Sequence, residues 1–416
     1  MDEPRILSPR YKWILLGFLF VTFFLEQGTR QIYNAVLPQI KVDFAQLGIT
    51  DTQLGLVGTV FSAVFGLSLV GSGLAADFLG RKRVLVCGTL LFSLGVFVSG
   101  FAAGLGLLMI AYGVFNALGQ CCVAPPCYSL ISQHHVRTRA VAMAIFQSSV
   151  YLGVILSSAF AGGLAETGEG GWRWAFWLMG GLGIVWALVL QRGVVETPVA
   201  SADGERPTMR AAFAALRRKP TAVLLAIAFG MFMYAQLGIR LWTPMFMVRH
   251  FENVGIAKAA LHSVLWLNLG ALVSVLAVAR IADRVAVRRP RIRLELAALG
   301  CVLCAVPVVM VARSGSFVGC CLALFVFGLT YGVFDASYYP SMFDCVSPRY
   351  RSATTGLTGC YAFLFGSFAP AVLGWMGEAF SMRIAFASLG VFYLLGALVL
   401  LAAIVRYFSR DYIPQT

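Results

Sequence analysis

The chain has 416 residues, of which 59% are hydrophobic and only 12% charged, and its formal net charge is +14. Soluble globular proteins carry about 25% charged residues, so this composition excludes an ordinary soluble domain and indicates a membrane protein with many spans. The first apolar segment follows Arg5, Arg10 and Lys12 without a small-residue cleavage site, so we expect no removable signal peptide.

Twelve apolar segments are long enough to cross a bilayer, which takes about 20 residues each. They form two sets of six, separated by the polar stretch 193–220. The sequence therefore predicts an all-α membrane protein, with one six-helix bundle in 1–192, a cytoplasmic linker in 193–220 and a second bundle in 221–416. The segments are 12–38, 53–76, 84–103, 105–131, 139–165, 173–192, 221–248, 258–282, 292–312, 315–341, 353–377 and 384–407.

Basic residues are distributed unevenly over the loops. With the N-terminus in the cytoplasm, 24 of the 32 Lys and Arg residues fall on the cytoplasmic side and six on the outer side. Cytoplasmic loops carry such an excess, so we expect both termini in the cytoplasm and the chain in the inner membrane of a bacterium. Topology and attraction to anionic lipid account for the net charge, so nucleic acid is not an expected partner.

One motif recurs after the second segment of each half. The first loop, GLAADFLGRKR, contains Gly73, Asp77 and Arg81, and the second, ARIADRVAVRR, contains Asp283 and Arg284. The two loops resemble the Gly-x-x-x-Asp-Arg-x-Gly-Arg-Arg/Lys motif of the major facilitator superfamily, with Phe where Arg usually follows the first Asp. The resemblance implies two pseudo-symmetric bundles of six helices and a conformational latch formed by these five residues. The alternative is that the loops only anchor the topology.

Polar side chains interrupt the apolar segments. Charge inside a bilayer is costly and usually faces a protein interior or a water-filled cavity. Glu26 and Arg30 are four residues apart, so they share one helix face. In the superfamily the first, fourth, seventh and tenth segments line the central cavity, and these segments contain Glu26, Arg30, Gln31, Asn116, Gln120, Gln236, Arg240 and Asp335.

Two arginines in a cavity of low dielectric constant indicate an anionic substrate, because guanidinium binds carboxylate or phosphate through two parallel hydrogen bonds. We expect Arg30 to hold the anionic group and Arg240 to assist. In the alternative, Glu26 and Asp335 pair permanently with the two arginines. The other expected substrate-binding residues are Gln31, Tyr33, Asn34, Gln120, Tyr234 and Gln236.

Glu26 and Asp335 are also candidates for proton coupling, because a dry cavity favours the neutral form of a carboxylate. The sequence contains no Gly-x4-Gly-Lys-Ser/Thr motif for ATP, so transport energy is expected to come from a gradient. We expect no enzyme activity, no cofactor and no metal site.

Motifs in three of the segments resemble two families within the superfamily: the organophosphate:phosphate antiporters and the anion:cation symporters, which include sialin-like carriers. Segment 7 contains QLGIRLWTP and segment 4 contains QCCVAPPC, both similar to the antiporters. Arg30 stands where both families keep an anion-binding Arg. Gln236, however, replaces the second anion-binding Arg of the antiporters, so a carboxylate is at least as good a candidate as a phosphate ester.

The sequence thus predicts a monomeric secondary active transporter that moves a small organic anion by alternating access. Symport and antiport both remain open. The alternative is a proton-coupled exporter of apolar or cationic compounds, with Glu26 and Asp335 as counter-ions of the substrate.

Overall fold

The computed structural model describes residues 10–135, 138–195, 209–286, 288–347 and 350–413, and almost all of these residues are helical. In the first half the helices are α1 (Tyr11–Asp43), α2 (Asp51–Leu79), α3 (Arg81–Ser99), α4 (Leu105–Leu108), α5 (Ala117–Cys121), α6 (Ala124–His134), α7 (Arg139–Ala165) and α8 (Gly171–Gly193). A 3-10 turn occupies Ala45–Leu47, and a π-helical segment, Met109–Asn116, joins α4 to α5.

The short helix α9 (Met209–Arg217) precedes the second half. The remaining helices are α10 (Pro220–His250), α11 (Ile256–Ala286), α12 (Ile292–Arg313), α13 (Phe317–Phe343), α14 (Arg351–Gly366), α15 (Phe368–Ala379), α16 (Met382–Arg406) and α17 (Phe408–Asp411).

The predicted segments correspond to twelve helical spans. Among the described residues, eleven helical stretches are long and apolar enough to cross a membrane. Helix α1 is the twelfth span: it has 33 residues, but the polar residues near its middle lower its hydropathy. The fourth span is broken between α5 and α6, next to Pro125 and Pro126, since proline removes a backbone donor and crowds the preceding turn.

Large apolar side chains cover the outside of the bundles, where a soluble protein would place polar residues. Such side chains are exposed on α8 and α16, including Leu182, Val185, Leu398 and Val405. Lipid is as apolar as these side chains, so a bilayer solvates the exposed helix faces. The chain is therefore an integral membrane protein with multiple spans.

The two halves touch along five pairs of helices: α2 packs on α14 and on α15, α7 packs on α11, and α1 packs on α10 and on α11. Glycine allows one of these close approaches. A Cβ atom on Gly374 would lie 2.6 Å from the carbonyl oxygen of Asp51, so any larger residue would separate α15 from α2.

Some residues of the predicted latch fall outside what is described. Gly73 and Asp77 belong to α2 and Asp283 belongs to α11, but their side chains are outside the described residues, as are residues 196–208 of the predicted linker. Arg81, at the start of α3, is buried, and Arg284, near the end of α11, is exposed. The latch thus stays a prediction.

Candidate functional site

A cavity of about 250 Å³, lined by both polar and apolar side chains, lies between the two halves. Helices α1 and α10, the first spans of the two halves, contribute most of its polar groups. Its lining residues are Gln27, Arg30, Gln31, Tyr33, Asn34, Gly58, Phe61, Ser62, Tyr112, Val150, Val154, Met233, Gln236, Leu237, Arg240, Leu241, Tyr331, Phe363 and Pro370.

Arg30 is held in place by neighbours on three sides. Its Nη2 donates to Oε1 of Glu26 at 2.8 Å, and its Nε donates to Oε1 of Gln120 at 2.9 Å. The guanidinium carbon lies 4.3 Å from the centre of the Phe65 ring, a cation–π distance. Two hydrogen bonds and one stacking contact fix the plane of the guanidinium and keep its end directed at the cavity.

Gln120 supports Arg30 from behind and is not among the cavity-lining residues. Its Nε2 donates to Oδ1 of Asn116 at 2.9 Å and approaches the carbonyl oxygen of Glu26 at 3.2 Å. The side chains of Gln120 and Asn116 are almost completely buried. Gln120 thus contacts Arg30 and not the cavity, whereas the sequence analysis expected it to face the substrate, which stays a prediction.

Arg240 enters the cavity from α10. With the Gln236 carboxamide oriented so that its oxygen faces the guanidinium, that oxygen accepts from Nε of Arg240 at 2.9 Å and from Nη2 at 3.1 Å. Both residues line the cavity. The partner of Arg240 is therefore a neutral amide, and among the described residues no carboxylate lies within ion-pair distance of it.

Gln31 and Asn34 follow Arg30 along α1 and line the same cavity. Nδ2 of Asn34 donates to Oε1 of Gln31 at 3.1 Å. Nε2 of Gln31 is buried and has no hydrogen-bond partner within the described part of the chain. A buried donor without a partner costs free energy, so this amide group is a candidate to meet an acceptor of the substrate.

The two predicted tyrosines differ in position. Tyr33 lines the cavity with its ring, while its hydroxyl donates to the carbonyl oxygen of Leu54 at 2.8 Å. Tyr234 is not among the lining residues, and its ring stacks on that of Phe392, with 4.0 Å between centroids. In this structure Tyr234 packs on α16, and its contact with the substrate stays a prediction.

The two predicted coupling carboxylates also differ in environment. Glu26 is 2% exposed, and its two oxygens accept from Arg30 and from Gln27 Nε2. Asp335 on α13 is exposed and does not line the cavity. It interacts electrostatically with Arg240, but among the described residues no ion pair within 4.0 Å joins the two. Of the two ion pairs considered in the sequence analysis, the structure contains Glu26–Arg30. Asp335 and Arg240 do not form one within 4.0 Å.

At one end of the molecule, polar contacts tie the halves together. Asp51 accepts from Nη1 and Nη2 of Arg249 at 2.5 and 2.9 Å. Glu378 accepts from the backbone N–H of Asp51 and, at 2.7 Å, from the hydroxyl of Thr52. These contacts join the first residues of α2 to the ends of α10 and α15.

The same end carries a second contact between the halves. Oε1 of Glu166, the residue that follows α7, accepts from the backbone N–H of Ala257 in the first turn of α11 at 3.0 Å. Sequence analysis singled out neither Glu166 nor Glu378. No local pattern marks them, since each partner belongs to the other half of the chain.

Two packed halves of membrane-spanning helices around a partly polar cavity define the class of multi-pass membrane transporters. The family model "Major Facilitator Superfamily" matches residues 19–370, and the chain belongs to this superfamily.

Similar proteins fit this assignment. The chain is 24% identical over 414 residues to "Probable anion transporter 1, chloroplastic" from Oryza sativa subsp. japonica, covering 93% of this chain and 75% of that protein. It is 24% identical over 425 residues to "MFS-type efflux pump" from Mycolicibacterium smegmatis, covering 98% and 96%.

A crystal structure of a bacterial homologue of the human lysosomal transporter Spinster, in an inward-facing and unoccupied conformation, superposes with a TM-score of 0.84. It shares 19% sequence identity, with full coverage of both chains, and this likeness shows the fold. The superfamily and these relatives consist of transporters, so the protein is a transporter and not an enzyme.

Proposed function

We propose that this protein is a secondary active transporter for a small organic anion, either a carboxylate or a phosphate ester. The observation that carries the proposal is that two guanidinium groups, Arg30 from one half and Arg240 from the other, line one cavity. A substrate held by both would connect the two halves near the middle of the membrane, where transporters of this kind place their sites. The rice relative named as an anion transporter supports the same substrate class.

Alternating access would proceed by rearrangement of the halves around the bound anion. The uneven distribution of basic residues favours cytoplasmic termini, and we place the protein in the inner membrane of a bacterium. The end at which Asp51 and Arg249 join the halves is then the outer end. The coupling ion is proposed to be a proton carried by Glu26 or Asp335, in symport or in exchange for the anion.

A second candidate function is proton-coupled export of apolar or cationic compounds. It is favoured by the exposed carboxylate of Asp335, which has no ion pair within the described residues, and by the relative named as an efflux pump. The two functions differ in which charge meets the substrate, a guanidinium or a carboxylate.

Ligand binding to the purified protein separates these functions. We would measure the shift of Tm with monocarboxylates, phosphate monoesters and cationic amphiphiles, using wild type, Arg30→Gln/Arg240→Gln and Asp335→Asn. An anion transporter is stabilised by anions, and the double arginine variant loses that stabilisation while Asp335→Asn keeps it. Stabilisation by cations alone, lost in Asp335→Asn, would reject the anion proposal in favour of the exporter.

A further inference from the structure

The two cavity arginines are held by the same device in the two halves. In α1, Arg30 donates to Glu26 four residues earlier, and in α10, Arg240 donates to Gln236 four residues earlier. Helices α1 and α10 are the first spans of their halves. The two partners differ mainly in charge, because the first half has a carboxylate where the second half has a carboxamide.

This difference leaves the two guanidinium groups with unequal net charge. The carboxylate of Glu26, at 2.8 Å, compensates the charge of Arg30. The carboxamide of Gln236 orients Arg240 but brings no charge. Asp335 interacts electrostatically with Arg240 but lies beyond ion-pair distance of it, so it does not neutralise the guanidinium by direct contact. At contact distance the cavity therefore carries about one uncompensated positive charge, and that charge is on Arg240.

Each guanidinium retains donors for a ligand. Nη1 of Arg30 and Nη1 of Arg240 make no hydrogen bond among the described residues, since only Nε and Nη2 are used in each. Nε2 of Gln31 is a third donor without a partner there. The three donors belong to residues that line one cavity. They fit a ligand with acceptors at two places, and only one of those acceptors needs to be charged.

Gln27, Asn34 and Ser62 also line the cavity, but much of the remaining wall is apolar. The lining includes the rings of Phe61, Tyr112, Tyr331 and Phe363. The Tyr112 hydroxyl is already used, because it donates to the carbonyl oxygen of Arg30 at 2.6 Å, so its ring offers mainly an apolar face. Contact with these rings favours a substrate with an apolar body.

We infer that Glu26 limits the substrate to a single negative charge, so the site takes a monocarboxylate with an apolar body. The carboxylate binds at Arg240, and a neutral acceptor of the substrate binds at Arg30 and Gln31. This inference rests on the proposed function. It assigns the anionic group to Arg240, whereas the sequence analysis expected Arg30 to hold it and Arg240 to assist. A phosphate monoester carries nearly two negative charges above pH 7. One of them would stay uncompensated in a desolvated site, which is costly.

Matched pairs of ligands test the inference. Each pair shares one body and differs in the anionic group: benzoate with phenyl phosphate, 1-naphthoate with 1-naphthyl phosphate, and 4-acetylbenzoate with 4-acetylphenyl phosphate. Binding to the purified protein at pH 8 would be measured by isothermal titration. Elution volume and Tm show whether each variant is folded.

Wild type is expected to prefer the monocarboxylate of each pair. Glu26→Gln should shift the ratio of the two dissociation constants toward the phosphate by at least about tenfold, because it leaves two uncompensated guanidinium groups. Gln236→Glu should abolish the binding of both ligands, since both arginines are then neutralised. The double variant Glu26→Gln/Arg30→Gln keeps only Arg240 and should keep the preference for the monocarboxylate.

The failures are distinguishable. If no anion of any pair binds to wild type, the proposed function itself is rejected, and this inference with it. If anions bind but wild type prefers the phosphates, or if Glu26→Gln leaves the ratio unchanged, the inference is rejected while anion transport stands. Loss of monocarboxylate binding in Arg30→Gln/Glu26→Gln but not in Arg240→Gln would restore Arg30 as the anion-binding residue.

Discussion

Glu166 and Glu378 play equivalent parts in the two halves, because each accepts a backbone hydrogen bond from the first turn of a helix in the opposite half. Glu378, near the end of α15, binds the N–H of Asp51 in α2, and Glu166, after α7, binds the N–H of Ala257 in α11. The first turn of a helix has unsatisfied N–H groups and partial positive charge. The two contacts therefore form a pair of reciprocal helix caps that join the two halves at one end of the molecule.

Removing either cap should loosen this end. Glu378→Ala is expected to speed hydrogen exchange around Asp51, and Glu166→Ala around Ala257. Loss of an N-terminal cap costs roughly 0.5–2 kcal/mol, which corresponds to a roughly 2- to 30-fold faster exchange. Exchange of peptides from both segments, followed by mass spectrometry, measures the effect.

Glu169→Ala is the matched control for the caps, since Glu169 is an exposed glutamate in the same loop as Glu166. It should leave exchange at both segments unchanged. Unchanged exchange in both cap variants as well would show that these contacts do not stabilise this end.

Gln120 should affect binding without touching the substrate. Gln120→Leu removes the acceptor of Arg30 Nε and leaves the guanidinium free to turn. A hydrogen bond to a charged group contributes about 1.5–3 kcal/mol, so we expect anion affinity to fall roughly 10- to 100-fold while Tm changes little. Gln120→Glu keeps an acceptor at the same distance but adds a second negative charge, and it should bind anions still more weakly. Wild-type affinity in both variants would contradict a positioning role.

Variants of two tyrosines distinguish a residue of the cavity wall, Tyr331, from a residue that packs between helices, Tyr234. Tyr331→Ala removes a lining ring and is expected to weaken the binding of anions with an aromatic body. Tyr234→Phe keeps the stacking on Phe392 and should bind the same anions like wild type. Titration of the three proteins with 1-naphthoate measures both effects, and a loss of affinity in Tyr234→Phe would return that residue to the site.

Helix periodicity explains which of the side chains singled out from the sequence line the cavity. Arg30 and Asn34 are four residues apart, as are Gln236 and Arg240, so each pair faces one side of its helix. Tyr234 does not line the cavity for the same reason: two residues before Gln236, it points about 200° away around the helix. The inter-half contacts of Glu166 and Glu378 could not be predicted, since they depend on how the halves dock and not on local pattern.

Proton coupling through Glu26 can be tested separately from anion binding. Glu26 pairs with Arg30, so it is expected to accept a proton when a neutral acceptor of the bound substrate takes over that guanidinium and the substrate carboxylate at Arg240 adds a negative charge to the same cavity. In Glu26→Gln, an imposed pH gradient should no longer drive accumulation of the anion in proteoliposomes, although labelled anion still exchanges. Asp335→Asn is the comparison, and gradient-driven accumulation that is lost there instead assigns the proton to Asp335.

The central claim is that Arg30 and Arg240 together bind an organic anion that the protein carries across the membrane. The most direct measurement is uptake of a radiolabelled aromatic monocarboxylate into proteoliposomes preloaded with the same unlabelled compound. Wild type should take up the label by counterflow, whereas Arg30→Gln/Arg240→Gln, reconstituted to the same density and equally folded, should match empty liposomes. Counterflow in the double variant at the wild-type rate would contradict the account.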